Sequence, residues 1–173
     1  LSVKWIQYSM SPLAALEEEQ LVLGLTQPPI EIPVAKPQMM TQEGLLTTEG
    51  AQQVLELWLT SKSEAFGSKH QVESLNKILA DSLLSLWGDR AQKLKKNQNH
   101  WQYKHTFTIK DLKTTNNNPR QAIVDANVRE IAKFYEQGKL NQSRSYDDQL
   151  QVRYELSRQG DDWRIKSIKV INY

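Results

Sequence analysis

From Thr48 onward the apolar positions fall at helical spacing. Ala51, Val54, Leu55, Trp58, Leu59, Ala65 and Phe66 recur three and four apart, which lines one face of a helix. Thr47 or Thr48 offers a cap oxygen, Glu49 lies in the first turn where the helix dipole favours a negative charge, and Gly67 closes the run. A short helix is expected around residues 72–79. Asp81 then reads as the cap of a third, with Leu83, Leu84, Trp87, Ala91 and Leu94 on one stripe. Lys93, Lys95 and Lys96 follow at its C-terminal end, where positive charge suits the dipole.

After residue 99 the period changes to two. Trp101, Tyr103, His105, Phe107 and Ile109 alternate with polar residues, as in a half-buried strand. Asn116-Asn117-Asn118-Pro119 reads as a turn. Ala122, Val124, Ala126, Val128, Ala132 and Phe134 share one parity, and a bend or bulge is expected near residues 129–131. Residues 138–148 are polar and read as a connection. Leu150, Val152, Tyr154 and Leu156 form a third strand. After the turn Gln159-Gly160-Asp161-Asp162, Trp163, Ile165, Ile168 and Val170 form a fourth. The parity slips between Ile165 and Ile168, and a bulge near Ser167 restores one face.

Helices followed by an antiparallel meander of about four long strands give an α+β domain, with three helices packed on one face of a curved sheet. Such a sheet wrapped around a helix makes a cone with an open mouth. Trp58, Trp87, Trp101, Tyr103, Phe134, Tyr154 and Trp163 would line its inner wall. One or two tryptophans are expected at the opening and the rest in the core.

Residues 1–47 differ in character from the rest of the chain. Pro12 precedes a short helical stretch over 13–21, and residues 27–37 carry four prolines in eleven positions. Ile30, Ile32 and Val34 alternate, so this piece is either a strap lying on the domain or a tether. The chain thus divides into a linker or strap over 1–47 and a folded domain over 48–173. It begins at Leu1 and reads as a unit excised from a longer protein. No stretch reaches the roughly 20 apolar residues that span a bilayer, so any membrane anchor is expected outside the fragment.

Composition changes the picture mainly by exclusion. The 173 residues are 39% hydrophobic and 24% charged with net charge +2, as in an ordinary globular chain. With no cysteine there is no disulfide, zinc–thiolate site or thiol nucleophile. The histidines, His70, His100 and His105, follow no metal-ligand spacing, and no metal or other cofactor is expected. His105 with Asp111 or Asp125 is the candidate acid–base pair at the floor of a cone, although Asp125 has the polar parity of its strand. Ser143, Ser145 and Tyr146 lie in a polar loop without a nucleophile elbow, and the seven glycines form no phosphate loop. Arg90, Lys93, Lys95, Lys96, Arg120, Arg129 and Lys133 are interspersed with acids, which argues against nucleic acid. A surface for a protein partner survives the elimination better than catalysis does.

Particular runs then carry a resemblance. They are Gly50-Ala51-Gln52-Gln53-Val54, Trp58 through Gly67 with His70, Leu86-Trp87-Gly88-Asp89-Arg90-Ala91, and Trp101-Gln102-Tyr103. Ser145-Tyr146-Asp147-Asp148, Val152 through Leu156, and Gly160 through Ile165 complete them. In order and over about three quarters of the chain, they resemble the C-terminal domain of the J-domain-bearing division proteins of cyanobacteria and plastids, the intermembrane-space-like (IMS-like) domain. Residues 21–25 and 28–33 resemble the segment before that domain in cyanobacterial members.

The resemblance implies an NTF2-like cone and a parent with one transmembrane helix. The parent's cytoplasmic part organises and tethers the FtsZ ring, so FtsZ is not bound by this fragment. The present domain stands across the membrane, in the periplasm of a cyanobacterium. In plastids the domain receives the C-terminal tail of another division protein. Capture of an extended tail is therefore expected here, with tail backbone on a strand edge or loop and an arginine for a terminal carboxylate. Arg153 and Arg164, then Arg144, are the candidate arginines, with Trp101 and Tyr146 as anchors. The alternatives are a small-molecule or proton-transfer pocket and a structural role in self-association.

Overall fold

The computed structural model describes residues 44–172. The expected short helix over 13–21 and the proline-rich piece over 27–37 lie outside the described residues. In chain order come α1 (Thr48–Phe66), a 3-10 helix (Val72–Lys77), α2 (Asp81–Lys96), β1 (Asn99–Thr115), β2 (Asn118–Glu136), β3 (Lys139–Gln159) and β4 (Asp162–Asn172). The strands form one antiparallel sheet in the order β1-β2-β3-β4. Among the described residues β1 and β4 are the outer strands of this sheet, and Leu79 bridges to Ile165 of β4.

α1 begins as its sequence indicates. Thr47 Oγ1 accepts a hydrogen bond from the Gly50 N–H at 2.9 Å, satisfying one of the donors the first turn leaves open. At its other end Gly67 has extended backbone, so left-handed geometry is not what it supplies. It supplies space, because a Cβ there would lie 2.5 Å from the Ser63 carbonyl oxygen. α2 departs from expectation. Ala80 holds the cap position without a side-chain bond, and Asp81 is the first helical residue with φ of 47°. The helix entry is held by the sheet instead. Ala80 N–H donates to the Ile165 carbonyl at 3.0 Å, and Ile165 N–H donates to the Ile78 carbonyl at 2.8 Å.

The helices cover one face of the sheet, and a single apolar core fills the interval. Trp87 is its hub, edge-to-face with Trp58 at 4.9 Å and with Phe66 at 5.5 Å. All seven aromatics expected on the wall of a cone are buried, Trp101 being the most exposed at 4%. At these positions the expected mouth is filled by core packing.

Three details of the strands were foreseeable only in part. The bulge near Ser167 is present: Glu155 pairs with Ser167 and Leu156 with Ile165, leaving Lys166 over, so Ile165 and Ile168 both face inward. The bulge expected near 129–131 is absent. Thr106, His105 and Lys104 pair without interruption with Arg129, Glu130 and Ile131. Every even position from Ala122 to Phe134 therefore faces the core, Glu130 included. Finally, residues 139–148 belong to β3 rather than to a connection. The hairpin turns on Gln137 and Gly138, both with positive φ (47° and 86°), the geometry that suits a two-residue turn. This end of β3 is largely uncovered, so its side chains do not alternate in polarity, and that hid the strand.

Candidate functional site

Three of the five expected site residues come together at the end of the sheet where β1 begins. Trp101 pairs in register with Phe134, its ring 4.6 Å from that of Phe134 and 5.8 Å, edge-on, from Tyr146. Arg144 arrives through an irregularity between β2 and β3. Ala132 pairs with Tyr146 and Phe134 with Asn141, so residues 142–145 stand opposite Lys133 alone. Polar bonds set this bulge. Phe134 N–H donates to Ser145 Oγ at 3.0 Å, Ser145 Oγ donates to the Asn141 carbonyl at 2.8 Å, and Arg144 N–H donates to Asn141 Oδ1 at 3.2 Å.

The bulge lays the Arg144 guanidinium 3.9 Å from the Phe134 ring centroid and 5.9 Å from that of Trp101. Stacking on aromatic faces holds a guanidinium flat while leaving its N–H edge to solvent. Arg144 is exposed, and no carboxylate among the described residues pairs with it.

Beneath this lip lies a buried polar cluster. Tyr146 Oη donates to Glu130 Oε1 at 3.1 Å. Glu130 Oε2 receives Lys62 Nζ, from α1, and His105 Nε2 at 2.8 Å, from β1. Lys62 Nζ also lies 4.8 Å from the Tyr103 ring centroid. Burial lowers the His105 pKa to about 4, against the opposing hydrogen bond and charge of Glu130, so the imidazole is neutral at pH 7. Burial works against charge on Glu130 as well. There the Lys62 charge and the His105 hydrogen bond prevail, and the pKa is lowered. The cluster is thus an ion pair with a neutral histidine as second donor.

Chemically, a histidine, a carboxylate and a lysine in contact can relay a proton, provided that a substrate reaches them. Here none of the three lines either of two open depressions on the surface. One, of about 530 Å³, lies between the end of α1 and β1 and is lined by Thr60, Ser63, Gly67, His100, Trp101 and Tyr135 among others. The other, of about 470 Å³, crosses three strands over Thr106, Thr108, Asn127, Arg129, Gln149 and Gln151. Among the described residues no group of three or more metal-binding side chains is assembled.

The carboxylate expected beside His105 is corrected: it is Glu130, not Asp111 or Asp125. Asp125 faces the other side of the sheet, as its parity indicated, where Arg153 holds it with two hydrogen bonds of 2.8 Å. Those bonds lower its pKa. Asp111 pairs in register with Asp125 and lies 3.8 Å from Lys113. The sequence reading missed Glu130 and Lys62, although Glu130 shares the even parity of the inward residues of β2 and Lys62 lies four residues after Trp58 on the buried stripe of α1.

Arg153 and Arg164 do not join the lip. Arg153 is bound to Asp125 on the opposite face, toward the far end of β1. Arg164 donates to the carbonyls of Asn76 and Leu79, tying β4 to the 3-10 helix.

A family described as ARC6-like, IMS domain matches residues 51–166. The crystal structure of the intermembrane space region of chloroplast protein ARC6 superposes with a TM-score of 0.67 at 21% identity, covering 74% of this chain and 98% of that one. At that identity the likeness is one of fold. A de novo designed β-sheet protein aligns over 70% of this chain and 80% of its own at 23% identity, but with a TM-score of 0.24, too low to bear on the fold.

Proposed function

The chain belongs to the ARC6-like IMS domain family, and from that premise we propose that it is the far-side part of a membrane-anchored division protein and captures the carboxylate-bearing tail of another division protein on the lip formed by Trp101, Tyr146 and Arg144. The single observation behind this reading is Arg144. A guanidinium stacked on two aromatic rings, exposed and without a described carboxylate partner, is set to form a two-pronged bond with a carboxylate. Arg153 and Arg164 rank behind it, because their donors are engaged with Asp125 and with backbone carbonyls.

In this reading the parent resembles the cyanobacterial division protein ZipN: its cytoplasmic part organises the FtsZ ring and the present domain is periplasmic. The one-sided packing of helices against long, bulged strands supports an NTF2-like reading of the fold.

The test is crosslinking capture from native membranes with the full-length parent. A partner retained by the wild type and by Arg153→Ala, but lost from Arg144→Ala, supports the reading. Equal retention by all three removes Arg144 from the site. The His105–Glu130 bond is the one observation that favours a proton-transfer pocket, and against it stands the burial of both side chains among the described residues.

A further inference from the structure

We propose that Glu130 is a positioning residue for the lip: through Tyr146 it fastens the exposed Arg144 to the buried Lys62–His105 cluster. The purpose assigned to this link rests on the partner-capture reading above, whereas its existence does not.

Geometry makes Glu130 a fixed acceptor. One of its oxygens is held from two sides, by Lys62 on α1 and by His105 on β1, and the carboxylate itself stands on β2. Three elements therefore determine where the other oxygen points, and it points at Tyr146. In the sheet Glu130 pairs with Asp148, so Tyr146 reaches it diagonally, within range for a long side chain. Tyr146 is also the residue at which β3 regains its register after the bulge that carries Arg144. A bulged stretch lacks regular ladder bonds and depends on side chains for its order. Ser145 serves one end of it, through Phe134 N–H and the Asn141 carbonyl. The Tyr146–Glu130 bond serves the other.

Energetics agree with a positioning role. A buried ion pair is weak evidence for stability, since well-packed apolar residues of similar volume often do as well, and an orienting role is the hypothesis the variants below test. The ionisable groups facing Glu130 are Lys62 from α1, His105 from β1, and Tyr146, Asp148 and Tyr154 from β3. Of this set Tyr146 is the member that stands two residues from Arg144 on the same strand, while ring contacts through Tyr103 also run from His105 and Lys62 to Trp101.

The experiment uses the whole 173-residue chain with Tyr146→Phe, which keeps the ring against Trp101 and removes the hydroxyl. The readout is the heteronuclear NOE of the Arg144 Nε–H, taken without any partner. The wild type is expected to give a rigid value and Tyr146→Phe a value typical of an exposed arginine. An unchanged value in Tyr146→Phe overturns the proposal. Because Glu130→Gln alone leaves Lys62 buried without its counter-charge, the second comparison pairs each change with Lys62→Met. Glu130→Gln/Lys62→Met retains an acceptor and is expected to keep Arg144 ordered, whereas Glu130→Leu/Lys62→Met is expected to release it. Equal order in the two also overturns it.

Binding is read separately, with a heptapeptide library ending in free carboxylates and the same library amidated. Tyr146→Phe is expected to weaken the selected acid-terminated peptides about two- to tenfold, the cost of immobilising one long side chain on binding. If Arg144 is released by Tyr146→Phe and neither library distinguishes Arg144→Ala from wild type, the positioning stands and the partner reading falls.

Discussion

Lys62 on α1 and Glu130 on β2 stand 68 positions apart in the chain and meet as an ion pair, with neither side chain more than 2% exposed. The contact joins the first helix to the centre of the sheet. Removing one member leaves a buried charge without a partner, and the loss is then about 3–5 kcal/mol. Lys62→Met alone and Glu130→Leu alone are therefore expected to lose that much in urea unfolding at pH 7. The double variant is expected to recover most of it. A double variant no more stable than either single one would mean that the pair itself, and not the avoidance of a lone charge, supplies the stability.

His105 makes the fold sensitive to acid. Its folded pKa of about 4 lies below the 6.5 of an unfolded histidine, so the unfolded chain binds the extra proton first. The contribution is fully present above pH 6.5, falls as the pH drops through the interval, and is lost near pH 4. Stability at pH 5 is expected to be about 2 kcal/mol lower than at pH 7.5. His105→Gln, which can still donate to Glu130, is expected to flatten this part of the profile. A parallel profile in the variant would assign the acid sensitivity to another group. The lowered Glu130 pKa adds a further loss at still lower pH, when the carboxylate itself takes a proton.

Trp101 is unsuited to a clean binding test. It is buried against Phe134, Tyr103 and Tyr146, and replacing it by alanine removes a large core side chain. As an anchor at an open mouth, the role the sequence suggested for it, Trp101 could be cut to alanine without unfolding the domain. The structure points instead to a loss of about 3–5 kcal/mol. Thermal unfolding decides it, and a melting temperature within a degree or two of wild type would return Trp101 to the surface.

Gly67→Ala is expected to destabilise the junction of α1 with β1, since the added carbon meets the Ser63 carbonyl at 2.5 Å. The loss should be about 1–3 kcal/mol, the usual range for overpacking. Gly88 has open space around it, so Gly88→Ala is the control and should be neutral or slightly stabilising within its helix. Urea midpoints of the two variants compare them directly, and equal midpoints would contradict the close approach at Gly67.

Much of the fold could be read from the chain because periodicity reports a local fact, which face is buried. The stripe of α1, the alternation of β1 and the bulge at Ser167 are of this kind. Glu130 was obscured because a charge at an inward position looks like a break in the pattern. Only a partner far away in the chain explains it. The bond between Arg153 and Asp125 required the register of two strands, which parity does not determine. Arg144 was the least visible, because its place over Phe134 depends on a bulge in a stretch of β3 too polar to read as strand. The expected lip residues Trp101 and Tyr146 did meet it there, while Arg164 went to the 3-10 helix.

The most direct measurement places a photo-crosslinking amino acid at position 142, exposed in the same bulge as Arg144, of the full-length parent in native membranes and identifies the attached residue by mass spectrometry. The account predicts a crosslink to the C-terminal residue, or to a carboxylate next to it, of another division protein. Crosslinks spread over internal segments of unrelated proteins, or confined to lipid, would contradict it.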